Sequence, residues 1–222
     1  MVALAGSGRT SSPVSSGGQG QLRLTGGRKL RSPKGGETRP TTARVREAVI
    51  NILGPRLDGA HWLDLCSGSG VMGCEALQRG AQRVVAIEAH GASAAICRSN
   101  LIATASGQPD PVQVVVVQRD LVTWLKRGRP ADDPGFDLVY FDPPYSSGLY
   151  GAGLDALISG QWLRPDAVVL CEHTKTKKPA TPNGWREVDQ RHYGNSSVLF
   201  LSPLEHCPGD TDSKPQRTDP TR

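Results

Sequence analysis

From residue 61 onward, short apolar runs alternate with segments of helical periodicity. Five runs have the length of a strand and are almost continuously apolar: HWLDLC, RVVAIE, VQVVVVQ, FDLVYF and AVVLCEH. The segments between them predict helices over 71–79, 90–104, 121–128 and 150–159. Near-continuous apolar strands separated by helices are typical of a parallel sheet with both faces covered. The pattern therefore predicts an α/β protein.

Two further runs, WREVDQRHYG and SSVLFLS, follow the fifth strand with no helical segment between them. Strands joined so directly form an antiparallel hairpin, because a parallel pair requires a longer crossover connection. We expect this hairpin to complete the sheet.

The segment before residue 61 has its own pattern. QLRLTGG alternates apolar and polar residues before a glycine pair, which predicts a short strand and a turn. RPTTARVREAVINILG then predicts a helix capped by Thr41 or Thr42 and ended by the Gly-Pro pair that follows. The apolar face of this helix comprises Val45, Val49, Ile50 and Leu53. Arg44 and Arg46 are expected off this face, free to meet a ligand.

Glycine and proline account for 26 and 17 of the 222 residues and are concentrated near the two ends. The middle of the chain is long enough for one well-filled domain. We expect a disordered tail over 1–20, a basic extension over 21–56, a domain over 57–202 and a second disordered tail over 203–222. No apolar stretch approaches the roughly 20 residues that a membrane-spanning helix requires.

The net charge of +5 is unevenly distributed. Residues 1–56 contain ten Lys and Arg against two Asp and Glu, whereas residues 57–222 contain 16 against 19. A localised basic segment beside a weakly acidic domain is typical of an arm that binds a polyanion, most often a nucleic acid. A solvated basic tail without a partner has the same composition.

The five cysteines show no CxxC spacing, and the histidines form no pair at metal-ligand spacing. Cysteines in apolar segments behave as small core residues. The chain is therefore expected to hold no metal and no disulfide, and to work in a reducing compartment.

The first strand leads into a glycine-rich turn. Gly68, Gly70 and Gly73 form a GxGxxG pattern between a strand and a helix, which is the context of a nucleotide-binding loop. Twenty residues after Gly68, the second strand ends in Glu88. A carboxylate there can accept hydrogen bonds from both ribose hydroxyls of an adenosine. These residues together predict an adenosine-containing cofactor.

The identity of that cofactor is less tightly constrained, and NAD remains possible on these residues alone. Asp64, within the strand before the glycines, would repel a pyrophosphate but could organise a cationic ligand. S-adenosylmethionine carries an ammonium and a sulfonium group and fits this charge.

The fourth strand ends abruptly in Asp142, Pro143, Pro144 and Tyr145. Prolines cannot continue a sheet ladder, and their rigidity keeps neighbouring groups aimed. The Asp142 carboxylate and the Pro143 carbonyl can accept the two N–H groups of a base amine and stabilise its developing positive charge. Tyr145 can stack on a base withdrawn from its helix. A plain strand-ending turn with a packed tyrosine is the simpler interpretation.

Several stretches resemble known proteins. LDLCSGSGVMGCEALQRGA, AIEA, QRD and DLVYFDPPY together resemble the S-adenosylmethionine-dependent amino-methyltransferases with a D/N-P-P-Y/F/W signature. LTGGRKL and TRPTTARVREAVINIL resemble, more narrowly, the N-terminal segment of the RsmD family, the bacterial small-subunit (16S) rRNA guanine-N2 methyltransferases. The resemblance spans residues 21–202. It implies a Rossmann-like class I methyltransferase fold, with a mostly parallel seven-stranded sheet and a small basic N-terminal extension.

The resemblance also implies a role for each matching residue. The implied cofactor-binding residues are Asp64, Cys66, Gly68, Ser69, Gly70, Glu88, Ala89, Asp120 and Leu121. The implied catalytic residues, which would hold the target guanine, are Asp142, Pro143, Pro144 and Tyr145. The implied substrate residues are Arg28 and Lys29 on RNA phosphates, with Arg39, Thr41, Arg44 and Arg46 at the substrate or cofactor entrance. Cys66 and Ala89 depart from the family, where Phe and Asp are frequent.

The expected activity is methyl transfer from S-adenosylmethionine to a guanine N2 of small-subunit rRNA, within a partly assembled 30S subunit. The expected protein is a cytoplasmic monomer with no metal and no membrane contact. An N6-adenine DNA methyltransferase using the same four residues is the nearest alternative. A non-catalytic RNA-binding module and a dinucleotide-dependent oxidoreductase are two others.

Overall fold

A computed structural model describes residues 21–32, 41–144 and 147–204 of the chain. Arg39, Tyr145 and the predicted tail over 1–20 lie outside the described residues, as does residue 205 onward.

The described residues contain five α-helices and seven strands. The helices are α1 Ala43–Leu53, α2 Val71–Gln78, α3 Gly91–Ala105, α4 Leu121–Leu125 and α5 Leu149–Ser159, and a 3₁₀ turn covers Gly54–Leu57. The strands are β1 His61–Leu65, β2 Arg83–Glu88, β3 Gln113–Gln118, β4 Phe136–Phe141, β5 Leu163–Thr174, β6 Trp185–Tyr193 and β7 Ser196–Pro203.

The strands form a single sheet in the order β3-β2-β1-β4-β5-β7-β6. β1 to β5 are parallel, and β7 is antiparallel to both β5 and β6. The predicted parallel sheet, its closing hairpin and the Rossmann-like fold class are thus confirmed. β1 is the third strand in this order and pairs with β2 on one side and β4 on the other. The chain order reverses there, which is where parallel sheets place ligands, at the carboxyl ends of their strands.

The core has two layers, one on each face of the sheet. On one face, α1, α2 and α3 cover buried residues that include Trp62 and Tyr140. On the other face, α4 and α5 cover a layer that includes Phe136 and Phe141. Leu24 and Leu30 of the basic extension are buried in the first layer, so the described part of the extension shares the core of the sheet.

Helix α1 begins where the sequence predicts. The Thr42 hydroxyl accepts a hydrogen bond from the Val45 backbone N–H at 3.3 Å and caps the helix. The predicted apolar face is buried as expected. The expectation that Arg46 lies off this face is wrong, because the residue is only 4% exposed. Arg46 stands three and four residues before Val49 and Ile50, which places it on the same stripe of the helix.

Strand β5 begins at Leu163, four residues earlier than the apolar pattern indicates. Asp166 adopts a positive φ of 60°, and the register of β5 against β4 shifts between Phe136 and Leu138. Sequence periodicity does not reveal such a shift, because it inserts polar residues into a paired strand. At the other end, β7 continues through Pro203, one residue into the segment predicted as a tail.

Candidate active site

The candidate site lies at the carboxyl ends of β1, β2 and β4. These three strands are neighbours, so the residues that follow them meet at one edge of the sheet. The Asp142 backbone N–H donates to the Leu65 carbonyl at 3.4 Å, which holds the residues after β4 against the end of β1. The two motifs separated by some seventy residues in the sequence are therefore adjacent.

The turn after β1 depends on two glycines. Gly68 and Gly70 have φ values of 54° and 73°, a region that side chains disfavour. A Cβ on Gly70 would lie 2.7 Å from the Cys97 sulfur, whereas a Cβ on Gly68 would meet nothing within 4 Å. Gly70 thus packs inward against α3, and Gly68 presents its backbone to open space. A ligand can approach the loop closely at Gly68.

Glu88 is tied to this loop through backbone donors. Its Oε2 accepts the Gly68 N–H at 2.8 Å, and its Oε1 accepts the His90 N–H at 2.8 Å. Each carboxylate oxygen retains a second lone pair, so the carboxylate can still accept two hydroxyl groups. The geometry orients Glu88 toward the loop, as its predicted ribose-binding role requires.

Asp64 lies beneath the loop and not on its open side. Its side chain is 2% exposed, and its Oδ2 accepts the Gly73 N–H at 3.2 Å. Burial raises the pKa of Asp64 to about 7, while the Gly73 hydrogen bond opposes this shift and the charge of Glu88 adds to it. Asp64 therefore acts on the loop through the first turn of α2, and it is partly protonated at neutral pH.

Cys66 marks the centre of the site. It follows β1 with a positive φ of 60° and is partly exposed. Burial raises the pKa of the Cys66 thiol, and four nearby carboxylates raise it further: Glu88, Asp142, Asp64 and Asp120. These four are the acidic residues that the sequence assigns to the site, and the fold places all of them around one thiol.

Asp120 and Leu121 lie at the end of β3. Asp120 is the N-cap of α4, and its Oδ1 accepts the Thr123 N–H at 2.8 Å. This hydrogen bond lowers the pKa of Asp120, which keeps the exposed carboxylate ionised. Leu121 is buried, while Ala89 is exposed beside Glu88. The role of Asp120 as an N-cap was not predicted from the sequence, although Asp before a short apolar helix is a usual signal for an N-cap.

The residues after β4 are held at the site by two prolines and by a contact from Thr41. Asp142 is half-buried, Pro143 is buried and Pro144 is exposed. The Thr41 hydroxyl donates to Asp142 Oδ2 at 3.4 Å, so the residue before the N-cap of α1 contacts the candidate catalytic carboxylate. Thr41 is itself buried.

A buried polar cluster that sequence reasoning missed lies below Asp142. The Tyr140 hydroxyl donates to Glu172 Oε2, and the Tyr150 hydroxyl donates to the Glu172 carbonyl. Burial raises the pKa of Tyr140, Glu172 and Asp142 add to the effect, and the Thr41 hydroxyl opposes it. The sequence signal for this cluster was Glu172, an acid near the end of an apolar strand. Such an acid predicts a hydrogen-bonded partner, because buried acids are rare unless they are paired.

Arg46 is committed to partners within the protein. Its Nε lies 3.5 Å from Glu75 Oε1, its Nη1 donates to the Thr41 carbonyl at 2.8 Å, and its Nη2 donates to the Arg23 carbonyl at 2.7 Å. Glu75, in α2, is 1% exposed and also accepts from the Thr25 N–H and hydroxyl. Glu75 was missed as well, although it is the single acid in an apolar helix.

Asn100 links the glycine loop to the extension. Its Nδ2 donates to the Ser69 and Arg31 carbonyls, each at 2.9 Å, and its Oδ1 accepts the Arg31 N–H at 2.9 Å. This buried amide in α3 fixes the position of the loop, including the predicted residue Ser69.

The predicted RNA-contacting residues are spread over the extension. Arg28, Lys29 and Arg44 are exposed, and the Arg28 guanidinium donates to the Ala103 carbonyl of α3. Two further exposed lysines, Lys175 and Lys177, follow the carboxyl end of β5 and so lie at the same edge of the sheet as Asp142. The signal for them was the basic run KTKK directly after an apolar strand.

Within the described residues, no group of three His, Cys, Asp or Glu side chains is arranged to hold a metal ion. No helix in the described part of the chain has both the length and the apolar character needed to cross a membrane.

Known proteins are similar to this chain in sequence and in fold. The family model described as "Conserved hypothetical protein 95" matches residues 20–202. The Ribosomal RNA small subunit methyltransferase D of Haemophilus influenzae is 31% identical over 180 residues, which cover 79% of this chain and 91% of that protein. The protein of the same name from Escherichia coli K12 is 33% identical over 174 residues, covering 76% and 83% of the two chains.

Solved structures agree with this relationship. The structure of the methyltransferase yhhF from Escherichia coli superposes with a TM-score of 0.68 at 30% identity, covering 83% of this chain and 98% of that one. A Haemophilus influenzae methylase, HI0767, superposes with a TM-score of 0.67 at 29% identity, over 84% and 100% of the two chains. The chain therefore belongs to this family, the RsmD family of methyltransferases.

Proposed function

We propose that this protein transfers a methyl group from S-adenosylmethionine to the exocyclic N2 of a guanine in small-subunit rRNA. The observation that carries the proposal is the convergence of Glu88, the glycine loop and Asp142 at one edge of the sheet. The names of the relatives support an rRNA substrate, since two of them are ribosomal RNA small subunit methyltransferases.

The residues at this edge fit S-adenosylmethionine. Gly68 leaves open space where a ligand can lie against the backbone, and Glu88 has lone pairs for two ribose hydroxyls. The carboxylates around Cys66 supply negative potential, which suits a cation and disfavours a pyrophosphate. When bound, S-adenosylmethionine supplies an electrophilic methyl group. Asp120 and the start of α4 would hold its adenine end.

The residues after β4 would prepare the amine to react. The nitrogen lone pair is delocalised into the base, so the nitrogen is a poor nucleophile until its N–H groups are held. Asp142 and the Pro143 carbonyl would accept these N–H groups and stabilise the positive charge that develops on nitrogen. Asp142 can also accept the proton that nitrogen loses after transfer. Tyr145, outside the described residues, is proposed to stack on the base.

The exposed cations would hold the RNA backbone. Arg44, three residues after Thr41, and Lys175 and Lys177, which follow the end of β5, are exposed near the edge that carries Asp142, and Arg28 and Lys29 of the extension are exposed as well. Such contacts are independent of sequence and weaken as salt rises. Because a paired or stacked base must be extruded before it reaches Asp142, we propose a partly assembled small subunit as the substrate. We also propose that the protein acts as a monomer in the cytoplasm and uses no metal.

The test uses the purified chain with tritium-labelled S-adenosylmethionine. Small-subunit particles and rRNA from cells lacking the protein, and duplex DNA, serve as the three substrates. Label recovered as N2-methylguanosine after digestion of the RNA, together with an N2-methylguanine stop in primer extension, supports the proposal. Label recovered as N6-methyladenine in DNA would overturn it in favour of the DNA methyltransferase. Failure to label any of the three substrates would also overturn it.

A further inference from the structure

Thr41 connects the N-terminal extension to the candidate catalytic carboxylate. Its hydroxyl donates to Asp142 Oδ2 at 3.4 Å. The nearby Tyr140 hydroxyl has its single proton committed to Glu172, so it donates nothing to Asp142. The Thr41 hydroxyl has one proton, with Asp142 and the Tyr140 oxygen as neighbouring acceptors, and when it donates to Asp142 it fixes the Oδ2 oxygen.

The position of Thr41 depends on Arg46. Thr41 precedes the cap of α1, so no helical hydrogen bond fixes its carbonyl. The Arg46 Nη1 donates to that carbonyl at 2.8 Å, from a guanidinium that is almost fully buried. The side chain of Arg46, in the first turn of α1, thus reaches back to Thr41 and holds this residue in place.

The Arg46 guanidinium is anchored in turn by two other segments. Its Nη2 bonds the Arg23 carbonyl in the extension, and its Nε approaches Glu75 in α2, the helix that begins directly after the glycine loop. A planar fork with several donors can make these bonds simultaneously, whereas a lysine ammonium has one nitrogen for all of them.

We infer that Arg46 positions Thr41, and that Thr41 orients the Asp142 carboxylate toward the base amine. Both act as positioning residues, through Asp142, and neither contacts the reacting atoms. The inference rests on the proposed function, because it assigns roles within the same site. From the sequence, Arg46 was expected at the substrate or cofactor entrance. The inference instead places Arg46 behind Asp142, where it acts through Thr41.

The test compares the turnover of four proteins on small-subunit particles: the wild type, Thr41→Val, Arg46→Lys and the double variant. Thr41→Val keeps the side-chain shape and removes the hydroxyl, and we expect kcat to fall about tenfold, as for a lost hydrogen bond to a charged group. Arg46→Lys keeps the charge and removes the fork, and we expect a similar fall. The double variant should turn over no more slowly than Thr41→Val alone, because Arg46 affects kcat only through the Thr41 hydroxyl.

Three controls separate positioning from general damage. Thr41→Ser restores the hydroxyl and should restore most of kcat. The affinity for S-adenosylhomocysteine, measured by calorimetry, should stay within about twofold in every variant, since the cofactor loop is untouched. Arg83→Lys alters another largely buried ion pair, Arg83 with Asp133, at the opposite edge of the sheet, and should lower the melting temperature while leaving kcat unchanged.

The inference is overturned by full turnover in Thr41→Val, by a double variant whose loss is the product of the single losses, or by an equal loss of kcat in Arg83→Lys. Thr41→Val tests the link to Asp142 even where Arg46→Lys fails to fold, because it removes only one hydroxyl. A wild type that methylates none of the substrates would instead overturn the proposed function. An active wild type with a fully active Thr41→Val would overturn this inference alone.

Discussion

The two edges of the central sheet treat their acidic residues differently. At the amino ends of the strands, Asp133 pairs with Arg83, and Asp137 pairs with Arg164 at 2.9 Å. At the carboxyl ends, Asp64, Glu88 and Asp120 accept backbone N–H groups, as Asp133 and Asp137 also do beside their ion pairs. Among the described residues, none of these three carboxylates forms an ion pair with Lys or Arg.

This difference separates structural charge from functional charge. A salt bridge neutralises an acid within the protein, whereas the Thr123 N–H orients the Asp120 carboxylate and keeps it ionised. The carboxyl edge therefore keeps a negative potential that a cationic ligand can use. The amino edge has charges of both signs beside each other and offers no such field.

The largest effect should follow from removing the carboxylate at the end of β4. We expect Asp142→Ala to lower kcat about a thousandfold, because the base amine loses its charged acceptor, with little change in calorimetric affinity for S-adenosylhomocysteine. Asp142→Asn should keep more activity, since its amide oxygen still accepts. Asp137→Ala, at the other end of the same strand, is the control and should leave kcat unchanged. Normal turnover in Asp142→Ala would refute the mechanism.

A smaller effect should follow from removing the carboxylate at the end of β2. We expect Glu88→Ala to weaken S-adenosylhomocysteine binding about a hundredfold, because a charged acceptor for the ribose is lost and the Gly68 N–H loses its partner. Asp133→Ala removes the acid paired with Arg83 at the other end of β2. Calorimetry should find its affinity unchanged. Equal losses in the two variants would mean that the edges do not differ as described.

The buried carboxylate in β1 should appear as a pH dependence of stability. The pKa of Asp64 is raised by burial to about 7 in the folded protein, so the folded state binds its proton more tightly than the unfolded state does. This contribution is fully present below the unfolded pKa and is lost as pH rises through 7. From pH 6 to pH 8 the free energy of unfolding should fall by about 1 kcal/mol on this account.

Urea unfolding of Asp64→Asn at the two pH values measures that contribution, because the variant cannot titrate at this position. The difference between its pH slope and that of the wild type isolates the contribution of Asp64 from that of the other titrating groups. Asp155→Asn, on the exposed side of α5, should keep the wild-type slope. An unchanged slope in Asp64→Asn would show that its carboxylate is not protonated near neutral pH.

The smallest effect should come from the partly exposed ion pair at the amino edge. The side chains of Arg164 and Asp137 are 30% and 31% exposed, so solvent screens their attraction. We expect Arg164→Met to lower the free energy of unfolding by less than about 1 kcal/mol and to leave kcat unchanged. A loss of activity there would show that the amino edge takes part in function.

The fold was predictable because each strand carries its own signal. Runs such as RVVAIE and FDLVYF are apolar on both faces, and only a covered parallel sheet buries both faces of a strand. The positions of Gly68 and Glu88 at strand ends followed directly from that topology. The start of β5 was not predictable, since Asp166 adopts a backbone conformation that its residue type seldom shows.

The supporting contacts of the site were less accessible from the sequence. Arg46 was expected to lie off the apolar face of α1, although its spacing from Ile50 places it on the buried stripe of that helix. Its partner Glu75 lies 29 residues away, and nothing in the local pattern pairs the two. Thr41 and Asp142 are separated by 101 residues, so their contact exists only after folding. Burial of paired polar groups is a tertiary property.

Cys66 has a consequence for the chemical reactivity of the protein. Thiols react with alkylating agents and oxidants as thiolates, and burial, followed by the charges of the surrounding carboxylates, raises the pKa of Cys66 and keeps its proton in place. A partly exposed cysteine at the centre of the site is therefore a poor nucleophile, protected by the same charges that attract a cation.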